Sequence, residues 1–348
     1  MALKDVVATL TPRVQATVLR GMLALPEPVQ RRLVGKPVVR DGQTLATDVQ
    51  LSLWLQKLAK EPGAETLPME EGRAALRRHA AAAGGRQPIG SVRDLTVADL
   101  PARLYVPTGA PATGPLLVFF HGGGFMHGDL ESHDAACRFL AERSGVRIVA
   151  VDYRLAPEAQ FPAAYDDACA AYRWVVANAA SLGGDPARLA VGGDSAGGTL
   201  SAGVALVAAR EGLPLAFQLL VYPASDGVRR TSSAELFSEG FYLTRAYMEL
   251  ANDSYMPAGG DFTDPRYSPL YADIPAGVAP AFVATAGFDP LRDEGEAYAR
   301  KLAEAGVRVE LKRYPGLIHG FLNIVGVGRS SKAAVAELAA KLKAALGG

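Results

Sequence analysis

The residues of this sequence that could do chemistry together begin with a serine set between glycines. Gly193-Asp194-Ser195-Ala196-Gly197 follows a short apolar run typical of a buried strand, and it precedes an Ala- and Leu-rich stretch typical of a helix. A Gly-x-Ser-x-Gly turn between a strand and a helix presents the serine hydroxyl as a nucleophile. The glycines are needed because side chains at positions 193 and 197 would collide with the neighbouring strand and helix. The sequence therefore predicts a nucleophile at Ser195, on condition that a base, an acid and oxyanion donors lie elsewhere in the chain.

The base is predicted at His319. It is the only one of the five histidines that follows Ser195, and it lies in a loop directly after the strand-like run 309–314. Taken alone, a loop histidine beside a glycine is more often a solvated or capping residue. The position after a strand favours the base, because functional groups of parallel sheets gather at the carboxyl ends of the strands.

The acid is expected between the serine and the histidine along the chain. Asp289 follows the strand-like run 281–286 by a short turn, so its carboxylate would lie at the same edge of the sheet. Asp226 also follows a strand-like run and is the alternative. Asp293 and Glu294 belong to the start of the next helix, where acidic side chains interact favourably with the helix dipole. Asp289 is therefore the predicted acid.

A glycine run directly after the strand-like run 116–120 supplies oxyanion donors. Between His121 and Phe125, three consecutive glycines let backbone N–H groups face a developing oxyanion without obstruction by side chains. His121 would anchor this loop and would not act as a base. The predicted donors are all backbone N–H groups, namely those of Gly123, Gly124, Ala196 and, as a third from the loop, Gly122.

These groups meet only if the strands are parallel. From residue 115 onward the pattern is strand, loop and helix, repeated, which predicts a parallel sheet covered by helices on both faces. The strand-like runs are residues 116–120, 147–153, 189–191, 217–222, 281–286 and 309–314, and the helix-like runs are about 133–144, 164–179, 199–211, 294–305 and 331–346. Residues 90–106 alternate around a turn and predict an antiparallel hairpin at a sheet edge.

Two segments lie outside this alternation. Residues 1–82 contain amphipathic helix-like pieces, and residues 224–275 are polar and rich in Pro and Gly, with one helix-like piece near 246–255. A long interruption inside an α/β fold is usually functional, so we expect both segments to form a cap. The side chains expected to line a substrate pocket, although ordinary packing explains them equally well, are Phe125, Phe241, Tyr242 and Leu243.

Composition narrows the classes of protein to which the chain can belong. The 348 residues are 49% hydrophobic with zero formal net charge, which fits a globular chain and gives no support for binding to nucleic acid. The first residues lack the basic start and long apolar core of a signal peptide, and no apolar run approaches a membrane span. We expect a cytoplasmic protein in which Cys137 and Cys169 are buried free thiols.

Taken together, the sequence resembles the bacterial hormone-sensitive lipase family of carboxylesterases, in the α/β-hydrolase superfamily. The resemblance runs from about residue 85 to the end of the chain. The motifs that carry it are His121-Gly122-Gly123-Gly124-Phe125, Asp152-Tyr153-Arg154-Leu155-Ala156-Pro157-Glu158, Gly193-Asp194-Ser195-Ala196-Gly197-Gly198, Asp289-Pro290-Leu291-Arg292-Asp293-Glu294 and His319-Gly320-Phe321. The order nucleophile, acid, base along the chain is also that of the α/β hydrolases.

The resemblance implies one α/β-hydrolase domain with an eight-stranded, mostly parallel sheet. The core would be about residues 85–224 and 273–348, under a helical cap of about 1–60 and 225–272. Asp194 and the 153–158 segment would support the nucleophile and the oxyanion loop, although a surface acid explains Glu158 equally well. Family members hydrolyse short- to medium-chain acyl esters without a metal or cofactor, and a homodimer is expected by analogy.

Two other functions use the same residues or the same fold. The triad could serve an amidase or peptidase, which must also protonate a poor amine leaving group. A non-catalytic small-molecule receptor of the same fold would not need to keep His319, so the presence of this histidine favours an enzyme.

Overall fold

A computed structural model of the chain describes residues 12–59 and 62–347. Its strands are β1 (Val39–Arg40), β2 (Gln43–Thr44), β3 (Ser91–Val97), β4 (Leu100–Val106), β5 (Gly114–Phe120), β6 (Arg147–Val151), β7 (Gly184–Asp194), β8 (Phe217–Val221), β9 (Ala281–Phe288) and β10 (Val309–Ile318). Its α-helices are α1 (Pro12–Ala24), α2 (Glu27–Val34), α3 (Thr47–Ala59), α4 (Met69–Gly84), α5 (Asp134–Ser144), α6 (Ala163–Asn178), α7 (Ala196–Glu211), α8 (Ser232–Leu236), α9 (Arg245–Tyr255), α10 (Arg292–Glu304) and α11 (Ser330–Leu346). Short 3₁₀ turns are Ala64–Thr66, Ala179–Leu182, Pro269–Tyr271 and Phe321–Asn323.

Eight of these strands form one mixed sheet in the order β10-β9-β8-β7-β5-β6-β4-β3. The hairpin β3–β4 and the pair β4–β6 are antiparallel, and the remaining pairs are parallel. The hairpin turns at Ala98 and Asp99, which both have positive φ, and it lies at the edge of the sheet. The predicted mostly parallel sheet and its edge hairpin are therefore confirmed.

The apolar strands are buried because helices cover both faces of the sheet. In β5, Leu117 and Phe119 pack toward α5 and α11, whereas Leu116, Val118 and Phe120 pack toward α6 and α7. This alternation follows from the two-residue period of a strand. A further cluster joins α10 to β8 and β9 on the α7 side. The core thus fixes the strands rigidly, and with them the loops at their carboxyl ends.

Strand register brings two pairs of loops together. Phe288 of β9 is paired with Ile318 of β10, so the residues that follow them directly, Asp289 and His319, start neighbouring loops. Phe120 of β5 is paired with Gly193 of β7 in the same way. The loops predicted to carry the acid and the base therefore leave the sheet side by side, and so do those predicted to carry the oxyanion donors and the nucleophile, with only β8 between the two pairs.

The N-terminal segment is tied to the core and to residues 224–275 by polar contacts. In α3, the Asp48 carboxylate accepts hydrogen bonds from the Arg329 and Ser330 N–H groups at the start of α11. Thr244, which caps α9, donates its hydroxyl proton to Glu65, with 2.8 Å between the oxygens. The two segments outside the alternating pattern therefore touch each other.

Two predictions from composition concern the whole chain. Cys137 and Cys169 are buried and form no disulfide, as predicted. Among residues 12–59 and 62–347, no helix is both long enough and apolar enough to cross a bilayer.

Candidate active site

Ser195 lies on a strained turn between β7 and α7. Its φ of +53° is unfavourable for a residue with a side chain and costs on the order of 1–3 kcal/mol, which the surrounding structure must supply. A Cβ at Gly193 would meet the carbonyl oxygens of Phe120 and Gly197, and one at Gly197 would also meet Phe120. The predicted need for both glycines is therefore confirmed. The Ser195 N–H is held by the Val221 carbonyl at 2.9 Å.

Ser195, His319 and Asp289 form one hydrogen-bonded chain. The distance from Ser195 Oγ to His319 Nε2 is 3.0 Å, and that from His319 Nδ1 to Asp289 Oδ2 is 2.8 Å. A carboxylate only accepts hydrogen bonds, so His319 carries its proton on Nδ1 and leaves Nε2 free to accept the serine proton. Asp289 is fully buried, and its other oxygen accepts the Leu291 N–H at 2.8 Å.

The carboxylates of the alternative acids have hydrogen-bond partners other than His319. Asp226 accepts hydrogen bonds from the Val228 N–H and the Tyr271 hydroxyl. Asp293 is paired with Arg292 at 2.8 Å and accepts the Ser233 N–H. Glu294 accepts the N–H groups of Ser225 and Asp226, and burial raises the pKa of this carboxyl to about 8. The contact to His319 is therefore made by Asp289.

The oxyanion loop corrects one expectation. The Gly122 N–H donates to Asp194 Oδ1 at 2.9 Å, so it is not available as the third donor from the loop. By contrast, the N–H groups of Gly123, Gly124 and Ala196 donate to no acceptor among the described residues. Ala196 is also the first residue of α7, where the helix dipole favours a negative charge. Three free donors thus remain beside Ser195.

His121 anchors the oxyanion loop, as predicted from sequence. Its ring stacks on Tyr153 with 4.3 Å between centroids, and the Tyr153 hydroxyl donates to the His121 carbonyl at 2.7 Å. Burial, and after it the neighbouring His133, lower the pKa of His121 to about 4. A neutral, buried imidazole with this role does not serve as the base.

Asp194 joins the nucleophile turn to its neighbours beneath the cavity. His133 Nε2 lies 3.2 Å from Asp194 Oδ1, and the Tyr222 hydroxyl donates to Oδ2 at 3.3 Å. Burial opposes the charged carboxylate, but His133 and the Gly122 N–H outweigh it and hold the pKa of Asp194 below its usual value. The Tyr222 ring also lies 4.5 Å from that of His319. Asp194 thus contacts the oxyanion loop and the layer beneath His319.

A cavity of about 580 Å³ opens above Ser195. Of the predicted pocket residues, Phe125, Tyr242 and Leu243 line it. Phe241 does not, because its ring packs between Phe237 and Phe288, with centroids 5.7 and 5.1 Å away. Lining residues that come from the N-terminal segment or from 224–275 include Leu53, Leu76, Arg229, Tyr247, Met248 and Ala251.

Sequence reasoning missed two side chains that contact the oxyanion loop. Arg73, on α4, donates to the Met126 and Ala156 carbonyls at 2.9 and 2.8 Å and pairs with Glu158. Glu158 is exposed, and its ion pair is with Arg73. Tyr247, on α9, donates to the Gly123 carbonyl at 3.2 Å. No pattern in a single sequence indicates either contact, since both join segments that are distant along the chain.

The described part of the chain offers no donor set for a metal ion. No group of three or more His, Cys, Asp or Glu side chains is arranged to hold one there. The buried carboxylates near the cavity have partners of their own, since Asp194 and Asp289 contact histidines and Glu294 accepts backbone N–H groups.

Comparison with known proteins agrees with this arrangement. A family model described as the α/β-hydrolase fold matches residues 117–323. The carboxylic ester hydrolase LipN of Mycobacterium tuberculosis is 43% identical over 97% of this chain and 94% of its own length. Ethyl acetate hydrolase of Pseudomonas putida is 44% identical over 65% of this chain and 72% of its own length.

Solved structures agree as well. An α/β hydrolase enzyme from the metagenome of Lake Arreo, Spain, has a TM-score of 0.84 and 42% identity, covering 87% of this chain and 99% of the other. The esterase of Pyrobaculum calidifontis has a TM-score of 0.77 and 39% identity, covering 80% of this chain and 94% of the other. The resemblance drawn from the sequence motifs is thereby confirmed. The chain belongs to the hormone-sensitive lipase-like family of α/β hydrolases, and it is a carboxylic ester hydrolase.

Proposed function

We propose that the enzyme is a serine carboxylesterase that works through an acyl-enzyme, with Ser195 as nucleophile, His319 as base and Asp289 as acid. The observation that carries this proposal is the hydrogen-bonded chain from Ser195 through His319 to Asp289 at the floor of the cavity. Hydrogen-bond reach between nucleophile and base, with the base oriented by a third group, is the geometry that nucleophilic catalysis requires.

Acylation follows from these contacts. His319 Nε2 accepts the hydroxyl proton as Ser195 Oγ attacks the ester carbonyl carbon, and Asp289 stabilises the resulting imidazolium. The oxyanion is bound by the N–H groups of Gly123, Gly124 and Ala196, and losing one such donor costs about 3 kcal/mol in transition-state binding. The imidazolium then protonates the leaving alkoxide, and the alcohol departs.

Deacylation repeats the cycle with water. His319 accepts a proton from water as the water oxygen attacks the acyl carbon. The imidazolium then protonates Ser195 Oγ as the bond from Oγ to the acyl carbon breaks, and the carboxylic acid leaves. The size of the cavity, about 580 Å³, supports substrates with short- to medium-chain acyl groups. Apolar side chains such as Leu243 and Met248 would contact the substrate there.

We also propose that about 1–60 and 225–272 act as a cap over this cavity. Lining residues from both segments support a joint role, and Thr244 donates a hydrogen bond to Glu65, which lies just after the first segment. The N-terminal contribution extends beyond the predicted boundary, since Leu76 also lines the cavity. Residues 1–11, 60 and 61 lie outside the described residues. The homodimer and the cytoplasmic location stay predictions.

The decisive experiment is Ser195→Ala assayed with 4-nitrophenyl butyrate. Removal of the nucleophile should lower kcat by about 10⁶-fold, the scale seen when a catalytic serine is replaced. Ser331→Ala is the matched control, because Ser331 is also buried and its hydroxyl has no partner among the described residues. It should retain wild-type activity.

A 4-nitrophenyl phosphonate ester tests the covalent step without relying on turnover. Attack by Ser195 Oγ forms an O–P bond and releases 4-nitrophenolate, so the protein mass should rise by one phosphonyl group in wild type and not in Ser195→Ala. Activity and labelling that persist without Ser195 would refute the assignment. Faster cleavage of a matched anilide than of the ester would instead favour the amidase alternative.

A further inference from the structure

The peptide between Gly123 and Gly124 has two ends with different tasks. The peptide unit is planar, so its C=O and N–H point in opposite directions and turn together. The Gly124 N–H is a proposed oxyanion donor. The Gly123 carbonyl accepts three hydrogen bonds, from the His127 N–H at 2.9 Å, the Met126 N–H at 3.3 Å and the Tyr247 hydroxyl at 3.2 Å. Whatever holds this carbonyl therefore also aims the Gly124 N–H.

Two of these three donors, the N–H groups of Met126 and His127, closely follow the glycine run along the chain. The third, Tyr247, comes from α9 in the segment between β8 and β9. Its ring lies against the loop, because a Cβ at Gly124 would be only 3.4 Å from Tyr247 Cε1 and 2.8 Å from Ala251 Cβ. Gly124 also has a φ of +63°, so α9 packs on a backbone position that suits glycine for two reasons.

The Tyr247 hydroxyl is held from a second side. His127 Nδ1 lies 2.9 Å from the hydroxyl oxygen. Because Tyr247 gives its one proton to the Gly123 carbonyl, it accepts a hydrogen bond from His127 Nδ1–H. His127 Nε2 is buried and has no partner among the described residues, which fits a nitrogen without a proton.

Burial keeps both groups in the protonation states that this arrangement needs. Burial, and after it the charge of Arg73, lower the pKa of His127 to about 4, so the imidazole is neutral at neutral pH. Burial raises the pKa of Tyr247, so its hydroxyl keeps its proton.

The helix carrying Tyr247 is fixed as well, since the Tyr247 N–H donates to Thr244 Oγ1 at 3.1 Å and Thr244 donates to Glu65.

We propose that Tyr247, oriented by His127, is a positioning residue that aims the Gly124 N–H at the oxyanion of the transition state. This inference rests on the proposed function, in which Gly124 is an oxyanion donor. Hydrogen bonds in a chain polarise one another, so a donor on the Gly123 carbonyl also strengthens the N–H at the other end of the peptide. The segment between β8 and β9 would then contribute to catalysis as well as to the shape of the cavity.

The test is Tyr247→Phe, which removes one hydroxyl and keeps the ring on Gly124. Losing an oxyanion donor outright lowers kcat by about 10²–10³-fold, and misaiming one should cost a fraction of that, about 10-fold. KM for 4-nitrophenyl butyrate should change by less than about 2-fold, because the oxyanion exists only in the transition state. Affinity for a trifluoromethyl ketone, whose adduct with Ser195 carries an oxyanion, should fall by the same factor as kcat/KM.

Tyr298→Phe is the matched control. Tyr298 is fully buried on α10 with no hydroxyl partner among the described residues, so its loss should leave kcat and ketone affinity unchanged. For His127, the Asn variant can place an amide N–H near the former Nδ1 and should stay close to wild type. His127→Leu cannot, and it should match Tyr247→Phe without adding to it in the double variant.

Rates are expressed per active site, counted by phosphonate titration, because a purely structural role would reduce the titratable fraction and leave kcat unchanged. Unchanged kcat and ketone affinity in Tyr247→Phe would overturn the inference. A change in KM without a fall in kcat would also overturn it. If Ser195→Ala abolishes activity in the same assay, such a result overturns only the role of Tyr247. Activity that survives Ser195→Ala would overturn the proposed function itself.

Discussion

Two regions line the same cavity but reach it in different ways. At the sheet edge, Ser195, Asp289 and His319 are each the first residue after a strand, namely β7, β9 and β10. Strand register therefore decides where they lie, as the pairing of Phe288 with Ile318 shows for the proposed acid and base. β7 and β9 each have a strand on both sides and β10 is paired with β9, so the sheet holds all three positions.

Residues 224–275 reach the cavity without strands. Tyr247 and Met248 lie on α9, well beyond the end of β8, and their positions depend on contacts with distant parts of the chain. Those contacts include Thr244 with Glu65 and Tyr247 with Gly123. Side chains whose positions are fixed by the sheet can be predicted from sequence periodicity, whereas side chains positioned by long-range contacts cannot. Changes at the sheet edge should consequently affect chemistry most, and changes in the inserted segment should mainly tune it.

After the loss of the nucleophile itself, the largest expected effect distinguishes the proposed acid from its alternative. Asp289→Asn should lower kcat by about 10⁴-fold, because an amide that donates to His319 Nδ1 stabilises the wrong tautomer and blocks proton transfer from Ser195. Asp226→Asn should change kcat by less than about 3-fold, since Asp226 contacts the Val228 N–H and the Tyr271 hydroxyl and not His319. Steady-state kinetics with 4-nitrophenyl butyrate measure both. The opposite ranking would transfer the acid to position 226.

The sheet and the three residues Ser195, Asp289 and His319 could be predicted because the same pattern encodes both. Apolar runs mark β7 and β9, whereas β10 is an edge strand with exposed charged side chains. In all three cases the polar residue that follows the strand lies at the carboxyl edge of the sheet. The nucleophile turn added steric evidence, since only glycine fits at 193 and 197. No long-range contact had to be known for any of these steps.

The remaining features needed the tertiary structure. The hydrogen-bond acceptor of the Gly122 N–H could not be predicted from sequence. It is the Asp194 carboxylate, which comes close only after β5 and β7 pair. Phe241 and Leu243 look alike as apolar residues of one segment, and both are buried, yet only Leu243 lines the cavity. Burial alone does not distinguish a cavity wall from a core position.

That difference gives a prediction of intermediate size. Leu243→Ala enlarges the cavity, so kcat/KM for a 4-nitrophenyl octanoate should rise relative to the butyrate by about 10-fold. Phe241→Ala should leave this ratio unchanged and cost about 3–5 kcal/mol in unfolding free energy, because the ring packs against Phe237 and Phe288. An acyl-chain series and urea unfolding of both variants measure the two effects. A shifted ratio in Phe241→Ala would place that ring against the substrate after all.

The smallest effect concerns the junction between the two regions. Glu294, on α10 of the core, accepts the N–H groups of Ser225 and Asp226, where the inserted segment begins. Its pKa is raised by burial to about 8, above the usual 4.5, so between these pH values the folded protein keeps a proton that the unfolded chain has released. Its contribution to unfolding free energy must therefore be complete below pH 4.5 and must decline as the pH rises through 8, by at most about 1.4 kcal/mol per pH unit.

Glu294→Gln isolates this contribution, because the amide keeps an oxygen for the Ser225 and Asp226 N–H groups but does not titrate. Urea unfolding at pH 5–8 should show that the stability of wild type relative to the variant falls steadily with pH. Taking the difference removes His121 and His127, whose lowered pKa values of about 4 have the opposite effect on both proteins as the pH rises. Parallel pH curves for the two proteins would mean that Glu294 is ionised throughout. The inserted segment would then be attached to the core by a charged anchor, and its attachment would not weaken at alkaline pH.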